Sequence, residues 1–267
     1  MILASVSPIG AALTLATVAA YVAPAVAASR LSTRHARNAL MTAWLLHAMV
    51  LVWSLLGDSP RFGFAPALSV TAWLVLTVYA VESRMFPQMQ ARAALSGLGA
   101  AMVLMALAFP GAPLHVAASP WLPLHWALGI ASYGLFAAAV VHAWLMTRAE
   151  RDMRRAAQPE GGVPLLTLER LTFRFVQAGF VLLTGTLAAG LFFTEQLYGS
   201  GTRWKWDHKT VFSVLSWLAF AILLLGRARF GWRGRKATRM LHVGSLLLLL
   251  AYVGSRFVLE VVLKRGA

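Results

Sequence analysis

Apolar runs alternate with short polar stretches along the whole chain, and each run is close to the ~20 residues that a helix needs to cross a hydrocarbon core. Eight runs stand out, at about 2–28, 39–56, 65–81, 93–109, 121–146, 175–197, 210–226 and 237–263. A lone chain segment in lipid must satisfy its own backbone hydrogen bonds, so runs of this length predict helices. The expectation is an all-α integral membrane protein, a bundle of eight transmembrane helices forming a single domain over 1–267. Small residues at 25–29 resemble a signal-peptide cleavage site, but no Lys or Arg precedes them and Arg30, Arg34 and Arg37 follow. A secretory signal has the opposite polarity, which predicts an uncleaved helix. Only one connection is long, the polar linker 147–171, and it predicts a short surface helix.

Charge sets the orientation. Only 12% of residues are charged and 59% are hydrophobic, against about a quarter charged in a soluble domain. The net charge of +15 invites a nucleic-acid partner, but its placement excludes one, because the basic residues sit in short loops between apolar runs. Arg30 to Arg37, Arg84 and Arg92, the 148–174 segment and the 227–239 segment occupy alternate loops and hold 17 of the 24 Lys and Arg. The positive-inside rule makes that side cytoplasmic and puts both termini on the periplasmic side. The sequence has no cysteine, which rules out disulfides, thiolate metal sites and covalent CxxCH haem attachment.

Against this background the polar segment 198–209 is unusual. It becomes an outer loop in which Trp204, Trp206, Asp207 and His208 fall within five positions, interleaved with Arg203, Lys205 and Lys209. Indoles at a water–lipid boundary are ordinary. Two indoles beside an imidazole that opens a helix also suit the cover and axial ligand of a haem.

Histidines are the chain's main chemical resource, and there are seven. A buried ionisable group in a span is a functional candidate, while the plain alternative is an interhelical hydrogen bond worth roughly 1 kcal/mol. His125 lies one turn into the fifth span, with Trp121 and Gly129 one turn to either side and Ser132 and Tyr133 further along. His125 and His208 open their spans from the same side and are the candidate iron ligands, with Trp204 and Trp206 covering the ring and Asp207 orienting the loop. His47 near mid-membrane and His242 at the inner end of the last span form a candidate inner site. Arg256 returns to the face of His242 about 21 Å further on and suits haem propionates, or else an ion pair with Glu260 one turn away. His142, His35 and His115 carry less weight.

These features, in this order, resemble the CcsA/CcmC/HemX-type cytochrome c assembly proteins, and are most similar to the YpjD subgroup of bacterial inner-membrane proteins. Trp204-Lys205-Trp206-Asp207 matches the Trp-x-Trp-Asp motif that ends the family's tryptophan-rich outer loop. Lys209 and Trp217 match the helix that follows, and Gly231 to Arg235 match a cytoplasmic Gly-Trp-Arg-Gly-Arg stretch. Leu124-His125 with Ser132-Tyr133, Leu46-His47-Ala48, and Leu168-Glu169-Arg170 leading through Arg174 to Gly179 complete the match. Two departures stand out. Asp207-His208-Lys209-Thr210 replaces the family's Asp-Pro-Lys-Glu, and Tyr252 and Arg256 occupy the outer end of the last span, where the family places a second external histidine.

The resemblance implies a multi-pass inner-membrane protein that binds b-type haem noncovalently and presents or moves it toward the periplasmic face. The implied partners are lipid, haem, and other cytochrome c assembly proteins or apocytochrome. No nucleophile triad, phosphate loop or carboxylate pair points to a self-contained catalyst. The competing class is a non-haem scaffold or accessory subunit of another membrane complex. An ion transporter fits less well, because acids are nearly absent from the apolar runs.

Overall fold

A computed structural model of the full chain describes residues 8–26, 33–56, 61–86, 89, 91–113, 121–154, 163–195 and 206–263. Its architecture is helical: α1 (Pro8–Val26), α2 (Thr33–Leu56), α3 (Phe64–Met85), α4 (Arg92–Ala108), α5 (Trp121–Arg154), α6 (Leu165–Phe192), α7 (His208–Phe230) and α8 (Gly234–Val262). Six of the eight, α2, α3, α5, α6, α7 and α8, are long and apolar enough to cross a membrane, and α1 and α4 are shorter apolar helices. The chain is a multi-pass helical membrane protein.

The connection expected over 147–171 is largely helix. Residues 147–154 contain neither Pro nor Gly, so α5 continues to Arg154, and Thr147 bonds back to the Ala143 carbonyl at 2.9 Å. Helix α6 starts directly after Pro164 and not near 175. Leu168, Thr172, Val176, Gly179 and Leu183 recur at helical spacing and are all buried, which draws the first turns into the same packed face.

The helices group into two compact units, one of residues 1–114 with 256–267 and the other of 115–255. In the first, α1 packs on α2 and α4, and α3 on α4. Gly99 of α4 allows this closeness, since a Cβ there would lie 3.0 Å from both Tyr21 and Leu76. A two-residue antiparallel ladder, β1 (Arg61–Phe62) on β2 (Ala112–Pro113), ties the entry of α3 to the exit of α4. Glu260 of α8 closes the same end: a Cβ at Gly63, the residue before α3, would come within 2.7 Å of both its carboxylate oxygens.

The second unit is built on one aromatic pair. Phe136 of α5 and Phe220 of α7 stack with centroids 3.7 Å apart, and glycines flank them. A Cβ at Gly179 of α6 would come within 3.1 Å of Phe136, and one at Gly244 of α8 within 2.7 Å of Phe220. Ala139, Ala143, Val176, Leu223, Ala237, Leu241 and Leu248 fill in around the pair.

This geometry orders three substitutions. Gly244→Ala should lower thermal stability in detergent by about 1–3 kcal/mol through overpacking, and Gly179→Ala by less. Gly97→Ala, with nothing within 4 Å, should be neutral or slightly stabilising.

Candidate functional site

The described part of the Trp-rich segment begins at Trp206, and Asp207 follows it. The Asp207 backbone is extended (φ −83°, ψ 169°), and its side chain accepts the Thr210 N–H at 2.8 Å, capping α7. Burial pushes the Asp207 carboxyl up, but the Thr210 hydrogen bonds and the charges of Lys209 and His208 outweigh it, so the group sits below the usual carboxylate range. The cap leaves Trp206 (71% exposed) and His208 exposed at the helix start. Trp204 lies outside the described residues, as does His115.

Lys209 turns inward. It acts electrostatically on the half-buried His125 of α5, and its ammonium lies 5.8 Å from the Tyr252 ring centroid of α8. The His125 ring has Nδ1 buried. A Cβ on Gly129 would meet the Thr186 methyl of α6 at 3.6 Å, an ordinary contact.

Two turns along α5 from His125, the Tyr133 hydroxyl donates to the Leu248 carbonyl. In an unbroken α-helix that carbonyl would accept the Tyr252 N–H. Here a side-chain hydroxyl competes for it, and α8 passes into a π-helical turn over Leu250–Gly254. One turn away, Ser216 of α7 donates to the Gly244 carbonyl at 2.8 Å. His125, Tyr133, Lys209 and Tyr252 are thus drawn together from three helices, and α8 is held by hydroxyls from both α5 and α7.

The other candidates are placed differently. His47 is fully buried in the first unit, with Nδ1 3.0 Å from the Tyr21 hydroxyl and Nε2 2.9 Å from the Ser69 hydroxyl. Both ring nitrogens are therefore engaged, and the imidazole joins α1, α2 and α3. His242 is in the second unit and exposed, with Nδ1 on the Thr238 carbonyl at 2.7 Å. Arg256 lies beside Glu260 in the first unit. His142 is buried with Nδ1 on the Ala138 carbonyl at 2.8 Å. Among the described residues no three His, Asp or Glu side chains converge to hold a metal ion.

One feature escaped the sequence. Glu169 of α6 binds Arg227 of α7 and lies 3.5 Å from Arg233, and Arg227 also reaches the Trp232 carbonyl at 3.3 Å. Gly231, at φ 61°, turns the chain so that the Trp232 N–H returns to the Gly226 carbonyl. Glu169 and the 231–235 stretch were both visible as motifs, but nothing local pairs Glu169 with Arg227 across 58 residues.

Two variants separate structure from site. Asp207→Ala should cost about 0.5–2 kcal/mol of α7 N-terminal stability, read as faster hydrogen exchange over 206–213. Because the folded carboxyl titrates below its unfolded value, the difference from wild type should be full at neutral pH and shrink as pH falls through the depressed value. His47→Leu should destabilise the first unit by about 1–3 kcal/mol, since it leaves the Tyr21 and Ser69 hydroxyls without their partner.

Comparison with known proteins places this geometry. The profile of the family described as "Cytochrome C assembly protein" matches residues 10–263. The "Inner membrane protein YpjD" of Escherichia coli (strain K12) is 32% identical over 150 residues, covering 55% of this chain and 56% of that protein. An "Uncharacterized 28.8 kDa protein in nifR3-like 5'region" of Azospirillum brasilense is 36% identical over 146 residues, covering 54% and 53%. The chain thus spans about half the length of these two curated relatives. The "Cytochrome c biogenesis protein CcsA" of Synechococcus sp. (strain CC9605) is 27% identical over 248 residues, covering 81% and 80%. No solved structure matches. The family match runs through nearly every helix, and the chain belongs to the cytochrome c assembly protein family.

Proposed function

We propose that this protein handles haem in a bacterial inner membrane, holding b-type haem noncovalently near the periplasmic face for cytochrome c assembly. All eight helices would cross the bilayer with both termini outside, as the distribution of Lys and Arg requires. The relatives named for cytochrome c biogenesis and for the inner membrane support the reading. The observation that carries it is His125, half-buried at one end of its helix beside Lys209, whose ammonium lies 5.8 Å from the Tyr252 ring, with the capped Trp206–Asp207 turn at the start of α7.

His125 would supply an axial imidazole, Trp206 and Trp204 would cover the ring, and Lys209 would face a propionate. His208, exposed at the helix start, is the second axial candidate, and Arg256 a second propionate partner. His47 and His242 are the candidates for an inner position on a transfer route. The cargo would be an iron porphyrin, delivered to partner apocytochromes or other assembly proteins; the protein's own residues bind and orient it and limit water access. A non-haem scaffold is the second reading. It is favoured by His47, whose ring nitrogens both serve hydrogen bonds between helices.

The test is the visible spectrum of detergent-purified protein titrated with haemin. Losing a hydrogen bond that supports a ligand costs about 10–100-fold in metal affinity, so His125→Ala, which removes the ligand itself, should weaken haemin binding by at least about 10-fold and shift the Soret band. His208→Ala should convert a six-coordinate spectrum to a five-coordinate one if that residue is the second ligand. No Soret band in haemin-loaded wild type would replace this reading with the scaffold.

A further inference from the structure

The basic ends of α5 and α8 enclose a second candidate site, remote in sequence from His125 and His208. A cavity of about 310 Å³ is lined by Thr147, Glu150, Arg151 and Arg154 of α5 and by Gly234, Arg235, Thr238 and Arg239 of α8, with Met146 at its base. Four arginines face one carboxylate, and among the described residues none of the four guanidiniums pairs with an acid. Left alone, such a cluster repels itself. Helix α8 also begins here with no side chain capping its first turn, so its positive end adds to the field.

The surroundings identify the ligand. Along α8 from Arg235 and Arg239, the same helical stripe continues into exposed Val243 and Leu246. Along α5 it continues into exposed Trp144, whose ring lies 5.9 Å from the Arg148 guanidinium, a pairing typical of headgroup depth. A ligand with a compact anionic head and apolar tails would match both parts.

We propose that this cavity binds the phosphate of an acidic phospholipid headgroup, with the acyl chains lying along the Val243–Leu246 stripe. Basic pockets between membrane helices suit such heads because planar guanidiniums can each donate two hydrogen bonds to phosphate oxygens. The site does not depend on haem. An occupied headgroup would bridge α5 and α8 and neutralise the arginines that otherwise push their ends apart.

The full chain in detergent, titrated with phosphatidylglycerol, phosphatidylcholine or pyrophosphate and read by native mass spectrometry, tests this. Wild type should retain phosphatidylglycerol in preference to phosphatidylcholine. Arg235→Gln with Arg239→Gln should reduce that binding on the order of tenfold. Arg151→Gln with Arg154→Gln, on the partner helix, should do the same, while Arg37→Gln should not. Wild-type preference surviving in both double variants overturns the proposal, and so does equal retention of the two lipids. Saturation by pyrophosphate without acidic-lipid binding overturns the lipid as the source.

Discussion

Lipid tails are as apolar as leucine, so helices in a bilayer gain little from burying leucine against leucine. What joins them is close approach and the hydrogen bonds that polar side chains can make nowhere else. Both appear here. Phe136 and Phe220 sit face to face because Gly179 and Gly244 on the two outer helices lack side chains. Tyr21, His47 and Ser69 form a continuous polar bridge through three helices of the first unit. The indoles of Trp44 and Trp73 stack 5.2 Å apart, each with its N–H satisfied, by Thr77 and by the Trp44 carbonyl respectively.

The same constraint shapes the candidate site. Tyr133 cannot leave its hydroxyl unpaired within the bundle, and it takes its partner from the backbone of α8. The cost is an interrupted ladder, and the gain is a fixed position for Tyr252 opposite Lys209. A site resting on a widened turn depends on packing from α5 and α7 together, so its geometry belongs to the unit and not to any one helix. At the opposite charge-rich ends the logic is electrostatic: Glu169 gathers Arg227 and Arg233, while the arginines between α5 and α8 have no acid to gather them.

Much of the fold was legible in the sequence. Eight apolar runs became eight helices, and the family resemblance rested on short motifs that survive in order. The ends of α5 and α6 were misjudged, because charged residues on a helix that leaves the membrane look like a loop when only hydrophobicity is followed. Packing at Leu168 and Thr172 keeps that segment helical.

Class, helix count, the concentration of basic charge in alternate loops, and membership of the family followed from composition and local order alone, because each depends on neighbours within a few turns. Which nitrogen meets which hydroxyl did not. Tyr133 reaches a carbonyl 115 residues away and His47 a tyrosine 26 residues away. Helical periodicity fixes the face a residue occupies but carries no information about which helix lies against that face. That choice rests on the fit of glycines, rings and unsatisfied polar groups across the assembled bundle, and only the tertiary structure contains it.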